Sequence, residues 1–283
     1  MAISRFLTIG RSNEECPVRA AVANLSFVCL SLIAMGLVWV NINEAGVRPE
    51  NIAGLWTFDE GNGDTAHDVS GNQNHGKLNG DTKWVNGKFG KALQFDGDMD
   101  YVEVVHDETL NITEELSIVA WVKFEQIPVR ENVLLDKGPK LAQAQYYLGY
   151  EPAEDAYFLN FNGQGWHAGD NFNSPKTKDT DWHHVAVTFD TASGKIKACV
   201  DGVCNEHETD DFLVNKGEHN LIIGDARFLE TNRNFSYTGI IDEIGVYNVV
   251  LTPDEIKTLA AGSMAGVALD GKLATTWAEL KRR

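Results

Sequence analysis

Ser117-Ile118-Val119-Ala120-Trp121-Val122-Lys123-Phe124 decides the fold, because its apolar residues Ile118, Ala120, Val122 and Phe124 recur at every second position. That period places them on one face of a strand, where helical spacing would scatter them. The pattern returns in His184–Phe189 through Val185, Val187 and Phe189, and again in Ile196–Val200 through Ile196, Ala198 and Val200. Each strand offers one face to a core and the other to solvent or a second layer, as two packed antiparallel sheets require. Similar short segments alternate with Gly, Asn and Asp clusters over 54–260, with little helical periodicity. The expected class is therefore all-β, a two-sheet antiparallel jelly-roll sandwich.

Local signals fix two further elements. In Val200-Asp201-Gly202-Val203 an Asp-Gly pair stands between apolar neighbours, a strong signal for a two-residue hairpin turn. In that register Val200 faces Val203 and Cys199 faces Cys204 as a non-hydrogen-bonded pair, with Cα atoms about 4.5 Å apart. Such a spacing suits a disulfide, which implies an oxidising compartment. A zinc site lacks partners, since Cys16 and Cys29 lie before and inside an apolar segment. Thr252-Pro253-Asp254-Glu255 predicts a short helix with Thr252 as N-cap and Glu255 as its capping-box partner. The tail, 261–283, contains a second helical segment at Ala274–Lys281.

The chain opens differently. From Ala20 to Val40 there are 21 residues without a charge, long enough to span a bilayer as one N-terminal apolar helix. Arg5, Arg11 and Arg19 precede it and Arg48 alone lies close behind, so the positive-inside bias leaves the N-terminus in the cytoplasm. Residues 1–42 thus read as a cytoplasmic stub with a signal anchor or a cleaved signal peptide, and 43–53 as a polar linker. The domain is membrane-anchored outside the cytoplasm in the first case and secreted in the second. The chain carries a formal charge of −17. A surface of that sign repels phosphate backbones, which argues against nucleic-acid partners and favours divalent cations.

Several side chains invite a chemical role. Alternation along Ile240–Val246 puts Asp242 on the face of Ile240, Ile244 and Val246, so a carboxylate is expected where the core should be. It then needs backbone N–H groups, a basic side chain or a cation as partner. Asp68, Asn72 and Asn74 in the Asp68–Gly76 loop offer hard oxygen ligands of the kind Ca²⁺ takes, although Asn and Asp also stabilise turns without any metal. Asp96-Gly97-Asp98-Met99-Asp100 lacks the glycine and glutamate of a calcium-binding helix-loop-helix and reads as a β-turn. Neighbouring His183 and His184 point to opposite faces of a strand and so cannot easily share an ion. Between the strands at Ser117 and Trp182, aromatics gather among Gly, Asn and Asp. Tyr147, Trp166 and His167 are the candidates there for stacking on sugar rings.

Several ordered blocks resemble the laminin-G-like jelly-roll domains of the concanavalin A-like lectin and glucanase superfamily. They are Gly54-Leu55-Trp56-Thr57-Phe58-Asp59-Glu60-Gly61, then Asp68-Val69-Ser70-Gly71-Asn72-Gln73-Asn74-His75-Gly76, then Gly87–Gly97 with Asp100-Tyr101-Val102. Ser117–Val122, Trp182–Asp190 and Gly239–Tyr247 complete the set. The resemblance implies a sandwich with Ca²⁺ often bound near a sheet edge and with glycan or glycoprotein ligands. It also implies that the opening loop and last strand meet at the ion, through Asp68, Asn72 or Asn74, and Asp242. Laminarinase-like glycosidases share the fold and use E-x-D-x-x-E on one strand. Glu208 and Asp210 approach that arrangement, but Leu213 stands where the second glutamate should be. The expected function is a non-catalytic extracytoplasmic recognition module supported by Ca²⁺. The alternatives are a protein-binding adhesive or structural module, and a glycan hydrolase or lyase with unrecognised acids.

Overall fold

The computed structural model describes residues 47–139, 144–161, 173–177, 179–208, 216–226 and 235–262. The chain divides into compact units Met1–Asn43 and Glu44–Arg283, and the described residues all belong to the second. The apolar segment 20–40 and the tail segment 274–281 lie outside the described residues. Among the described residues no helix is long and apolar enough to cross a membrane.

The strands, in chain order, are β1 (Ile52–Trp56), β2 (Thr65–Ala66), β3 (Gly76–Asn79), β4 (Lys83–Asn86), β5 (Lys91–Asp96), β6 (Tyr101–Val104), β7 (Glu115–Phe124) and β8 (Asn132–Lys137). After these come β9 (Tyr146–Glu151), β10 (Ala156–Asn160), β11 (His183–Asp190), β12 (Lys195–Val200), β13 (Val203–Glu208), β14 (Leu221–Ile223) and β15 (Thr238–Tyr247). One sheet runs β13-β12-β11-β7-β15-β5-β4, with β1 also paired to β15, and the other runs β10-β9-β8-β14-β6-β3-β2. Every pairing is antiparallel, as the alternation requires. The first strand starts at Ile52, two residues inside the stretch expected as linker.

The two inner faces supply one core. Ile118, Ala120, Val122 and Phe124 of β7 meet Val185, Val187 and Phe189 of β11 and Ile196, Ala198 and Val200 of β12, all buried in the same cluster. From the opposite sheet come Val102, Leu135, Leu148, Tyr150, Tyr157 and Ile223. Phe124 lies among Tyr150, Tyr157 and Tyr237 with ring centroids 4.8, 6.2 and 5.6 Å away, adding ring contacts to the burial of apolar area.

The outer face of the β7 sheet is covered by the short helix. This helix, α1 (Pro253–Ala260), carries the capping box read from its sequence, with Thr252 accepting from the Glu255 N–H. It buries Ile256 and Leu259 against Val119, Ala186 and Cys199. The expected hairpin is also present: Cys199 pairs with Cys204 and Val200 with Val203. The disulfide is formed, its Cα atoms 4.0 Å apart. Because β13 is an edge strand that pairs only with β12, the staple holds an element with little other burial. Cys199→Ala with Cys204→Ala is expected to lower the stability of the domain by about 2 kcal/mol, read as a lower urea midpoint. An unchanged midpoint would show that the edge strand contributes nothing to the cooperative unit.

Candidate functional site

The opening loop is built around Asp68, which is buried. Its Oδ1 accepts from the Leu55 N–H at 3.0 Å and the Ser70 N–H at 2.8 Å. Its Oδ2 accepts from the Ser70 hydroxyl at 2.8 Å and the Asn74 N–H at 2.9 Å. Asn72 Nδ2 donates to the Ile52 carbonyl at 2.7 Å, and Asn74 Nδ2 to the Ala53 carbonyl at 2.8 Å. Trp56 Nε1 donates back to the Asn74 carbonyl at 2.8 Å. The side of β1 turned away from β15 would otherwise leave its backbone groups bare. The Asx side chains of the loop take the place of a neighbouring strand there.

The last strand departs from its expected parity. Ile241 pairs with Val122, Asp242 with Trp121, and pairing resumes at Gly245 with Val119 after a register shift. Glu243 takes φ 50° at this β-bulge. The extra residue puts Ile241, Ile244 and Val246 in the core and turns Asp242 to the outer face, beside Trp121. The expectation that Asp242 shares the core face is therefore corrected. It is nevertheless fully buried, because the turn between β4 and β5 closes over it and the Phe89 N–H donates to Oδ2 at 2.9 Å. A Cβ at Gly87 would lie 2.5 Å from that same oxygen, so the close approach requires glycine.

Asp68 and Asp242 do not meet at one ion in this geometry. Trp56 of β1 bridges to Asp68 on one side and pairs with Ile244 of β15 on the other, so β1 lies between them. Each carboxylate has its own hydrogen-bond donors, and those of Asp68 occupy both oxygens.

A different acidic group does converge. Carboxylate oxygens of Asp81, Asp96 and Asp100 lie within 4.8 Å of one another. Asp100 is buried and accepts from the Asp81 N–H at 2.8 Å and the Asp96 N–H at 3.0 Å. Burial raises its pKa against those N–H groups, and the charges of Asp96 and Asp81 push it further up. Hard oxygen donors so placed fit Ca²⁺. The Asp96–Asp100 segment is the turn expected from its sequence, whereas Asp81 joins it from the turn between β3 and β4, a contact no local pattern announces.

The aromatic candidates divide. Tyr147 is fully buried, its ring beside Phe158 and its hydroxyl donating to Glu131, in an outer-face cluster with Val133, Ala144, Ala226 and Phe235. It holds structure and offers no open ring face. Trp166 and His167 lie outside the described residues, as do Asp210 and Leu213. His183 and His184 point to opposite faces, as expected. His183 bridges Asp201 at 2.7 Å and Asp179 at 2.8 Å, and these carboxylates outweigh burial to raise its pKa. His184 packs on Trp121, and burial pushes its pKa down to about 4, so it is neutral at physiological pH.

An open cavity of about 280 Å³ lies at the rim, between the β7–β8 connection and the turn after β5. Gln126, Val129, Arg130 and Asn132 line it from one side, Gly97, Ser236 and Thr238 from the other. Asn132 ties the walls together: its Nδ2 donates to the Arg130 carbonyl at 3.2 Å and its Oδ1 accepts from the Thr238 N–H at 3.0 Å. Val129 is 92% exposed and forms an apolar lip.

Residues 95–257 match the family model described as the concanavalin A-like lectin/glucanases superfamily. A curated relative, the sushi, von Willebrand factor type A, EGF and pentraxin domain-containing protein 1 of Rattus norvegicus, is 25% identical over 183 residues. That alignment covers 61% of this chain and 5% of the relative, so the chain spans a small part of it. Among solved structures, domain 4 of AbnA, a GH43 extracellular arabinanase from Geobacillus stearothermophilus, in complex with arabinotriose, aligns with a TM-score of 0.58 and 23% identity. It covers 74% of this chain and 98% of that domain. A Trypanosoma rangeli sialidase aligns with a TM-score of 0.55 and 16% identity, over 76% of this chain and 33% of the sialidase.

Proposed function

The chain belongs to the concanavalin A-like lectin/glucanases superfamily, and on that premise we propose that it is an extracytoplasmic recognition module that binds carbohydrate without cleaving it. The rim cavity carries this reading. Its walls are tied by Asn132, and an amide, a hydroxyl and a guanidinium face an open space edged by an apolar lip. Polar groups that orient hydroxyls beside an apolar contact are what a sugar ring needs. The alignment to a domain solved with arabinotriose supports the same class of ligand, by analogy of fold. The Cys199–Cys204 disulfide supports a compartment outside the cytoplasm.

Ca²⁺ is the proposed structural ion, held by Asp81, Asp96 and Asp100, where it would neutralise crowded carboxylates and fix the turn that bounds the cavity. An ion bound to the native state alone stabilises it by mass action. Excess chelator is therefore expected to lower the melting temperature of the full chain, and added Ca²⁺ to restore it. A melting temperature indifferent to both would remove the ion from the proposal. Oligosaccharide binding measured by calorimetry tests the main reading, and reducing-end release from the bound glycan would overturn its non-catalytic part.

A further inference from the structure

Arg130 stands at the mouth of the rim cavity in a chain whose formal charge is −17. Its neighbours in sequence include two carboxylates that do not answer it. Glu125 accepts from Gln94 Nε2, and Glu131 is buried and accepts the Tyr147 hydroxyl on the outer face of the other sheet. Among the described residues no carboxylate lines the cavity. Among the described residues the Arg130 guanidinium has no ion pair and the Gln126 amide no hydrogen bond. Two further polar side chains of the wall are already committed: Asn132 uses its amide to join the walls, and Ser236 Oγ donates to Asp225 Oδ1 at 3.0 Å. The side-chain donors left for a guest are thus an unpaired cation, the Gln126 amide and the Thr238 hydroxyl, and the cation is the one charged group among them.

We propose that this cavity takes a carboxylate-bearing sugar unit, with Arg130 gripping the carboxylate, Gln126 a neighbouring hydroxyl, and Val129 a C–H face of the ring. The inference rests on the carbohydrate reading above and adds its charge class. A planar guanidinium matches a carboxylate through two parallel N–H donors, which a neutral sugar cannot exploit. The cavity volume of about 280 Å³ lies at the small end of ligand sites and suits one sugar unit of a longer chain. The strongly acidic remainder of the domain repels anions, so an acidic sugar gains over a neutral one only where the Arg130 guanidinium meets its carboxylate.

Calorimetry on the full chain, with four probes, tests this. Tri-galacturonate and 3′-sialyllactose carry carboxylates on two different sugar types, while methyl-esterified tri-galacturonate and lactose are their uncharged counterparts. At least one acidic probe is expected to bind about tenfold more tightly than its counterpart, with the difference shrinking as salt rises. Arg130→Gln is expected to abolish the difference, Arg130→Lys to keep part of it, and neither to change the melting temperature, because the side chain is exposed and unpaired. Equal binding of charged and neutral partners, or a preference untouched by Arg130→Gln, overturns the charge class and leaves the carbohydrate reading intact. No binding of any saccharide, charged or neutral, in these and the broader oligosaccharide measurements overturns both.

Discussion

Asp68→Ala is expected to cost the domain about 3–5 kcal/mol and to lower its melting temperature by on the order of 10 °C. The buried carboxylate accepts from Leu55 N–H, Ser70 N–H, the Ser70 hydroxyl and Asn74 N–H. Removing it strands donors that water cannot easily reach, and a buried donor without an acceptor costs more than the bond itself contributed. The loss spreads through β1, because the same loop holds the Ile52 and Ala53 carbonyls through Asn72 and Asn74. Asp68→Asn keeps one acceptor oxygen and turns the other into an amide NH2 that faces donors, so it is expected to fall between. The alternative role, Asp68 as a calcium ligand, predicts another outcome. The variant would then melt like the chelated wild type and lose its response to Ca²⁺. A variant that is destabilised by the same amount with and without chelator identifies a turn network. A variant that melts within a degree or so of the wild type would remove the hydrogen-bond argument altogether.

What could be read from sequence follows from how local each signal is. The Cys199–Cys204 hairpin and the Thr252 capping box are set by residues within a few positions, and both stand as expected. So do the inner faces of β7, β11 and β12, whose outer faces differ enough in polarity for a period of two to be visible. The signal fades in β8 and β9, where every residue from Asn132 to Lys137 and from Tyr146 to Tyr150 is buried, as most of β7 and β11 is, but where polar and apolar residues do not alternate by face. Strands of apolar composition on both faces show no alternation, and the sequence therefore offers Tyr147 only as one aromatic among Gly, Asn and Asp. The side on which Asp242 falls escapes the sequence for another reason. A bulge shifts parity by one residue, and Glu243 adopts φ 50° without the glycine that would mark such a site in sequence. The rim cavity and the approach of Asp81 to Asp100 are products of long-range pairing among β3, β5, β6, β7 and β15, and no window of sequence contains them.

Asp136→Asn is expected to raise stability at neutral pH by about 1–4 kcal/mol, the opposite of the usual effect of a core substitution. Asp136 is 1% exposed, pairs across the sheet with Tyr147 and Ile222, and its Oδ1 has no hydrogen-bond partner among the described residues. Burial first, and the charge of Asp225 second, lift its pKa well above the carboxylate range, with Lys137 opposing. A carboxyl whose folded pKa is raised holds a proton in the native state that the unfolded state gives up. Its contribution is fully present below the unfolded value near pH 4 and is lost as pH rises toward the folded value. The wild type should therefore lose stability from about pH 4 upward at this site, and asparagine, uncharged throughout, should not. The gain from Asp136→Asn must accordingly shrink as pH falls toward 4, and Asp136→Leu, which demands no partner for an amide, should show the same trend. Urea midpoints across that range decide the matter. A gain independent of pH would mean that packing changed and charge did not, and a loss at pH 7 would mean that the ionised form is held by groups strong enough to offset its burial.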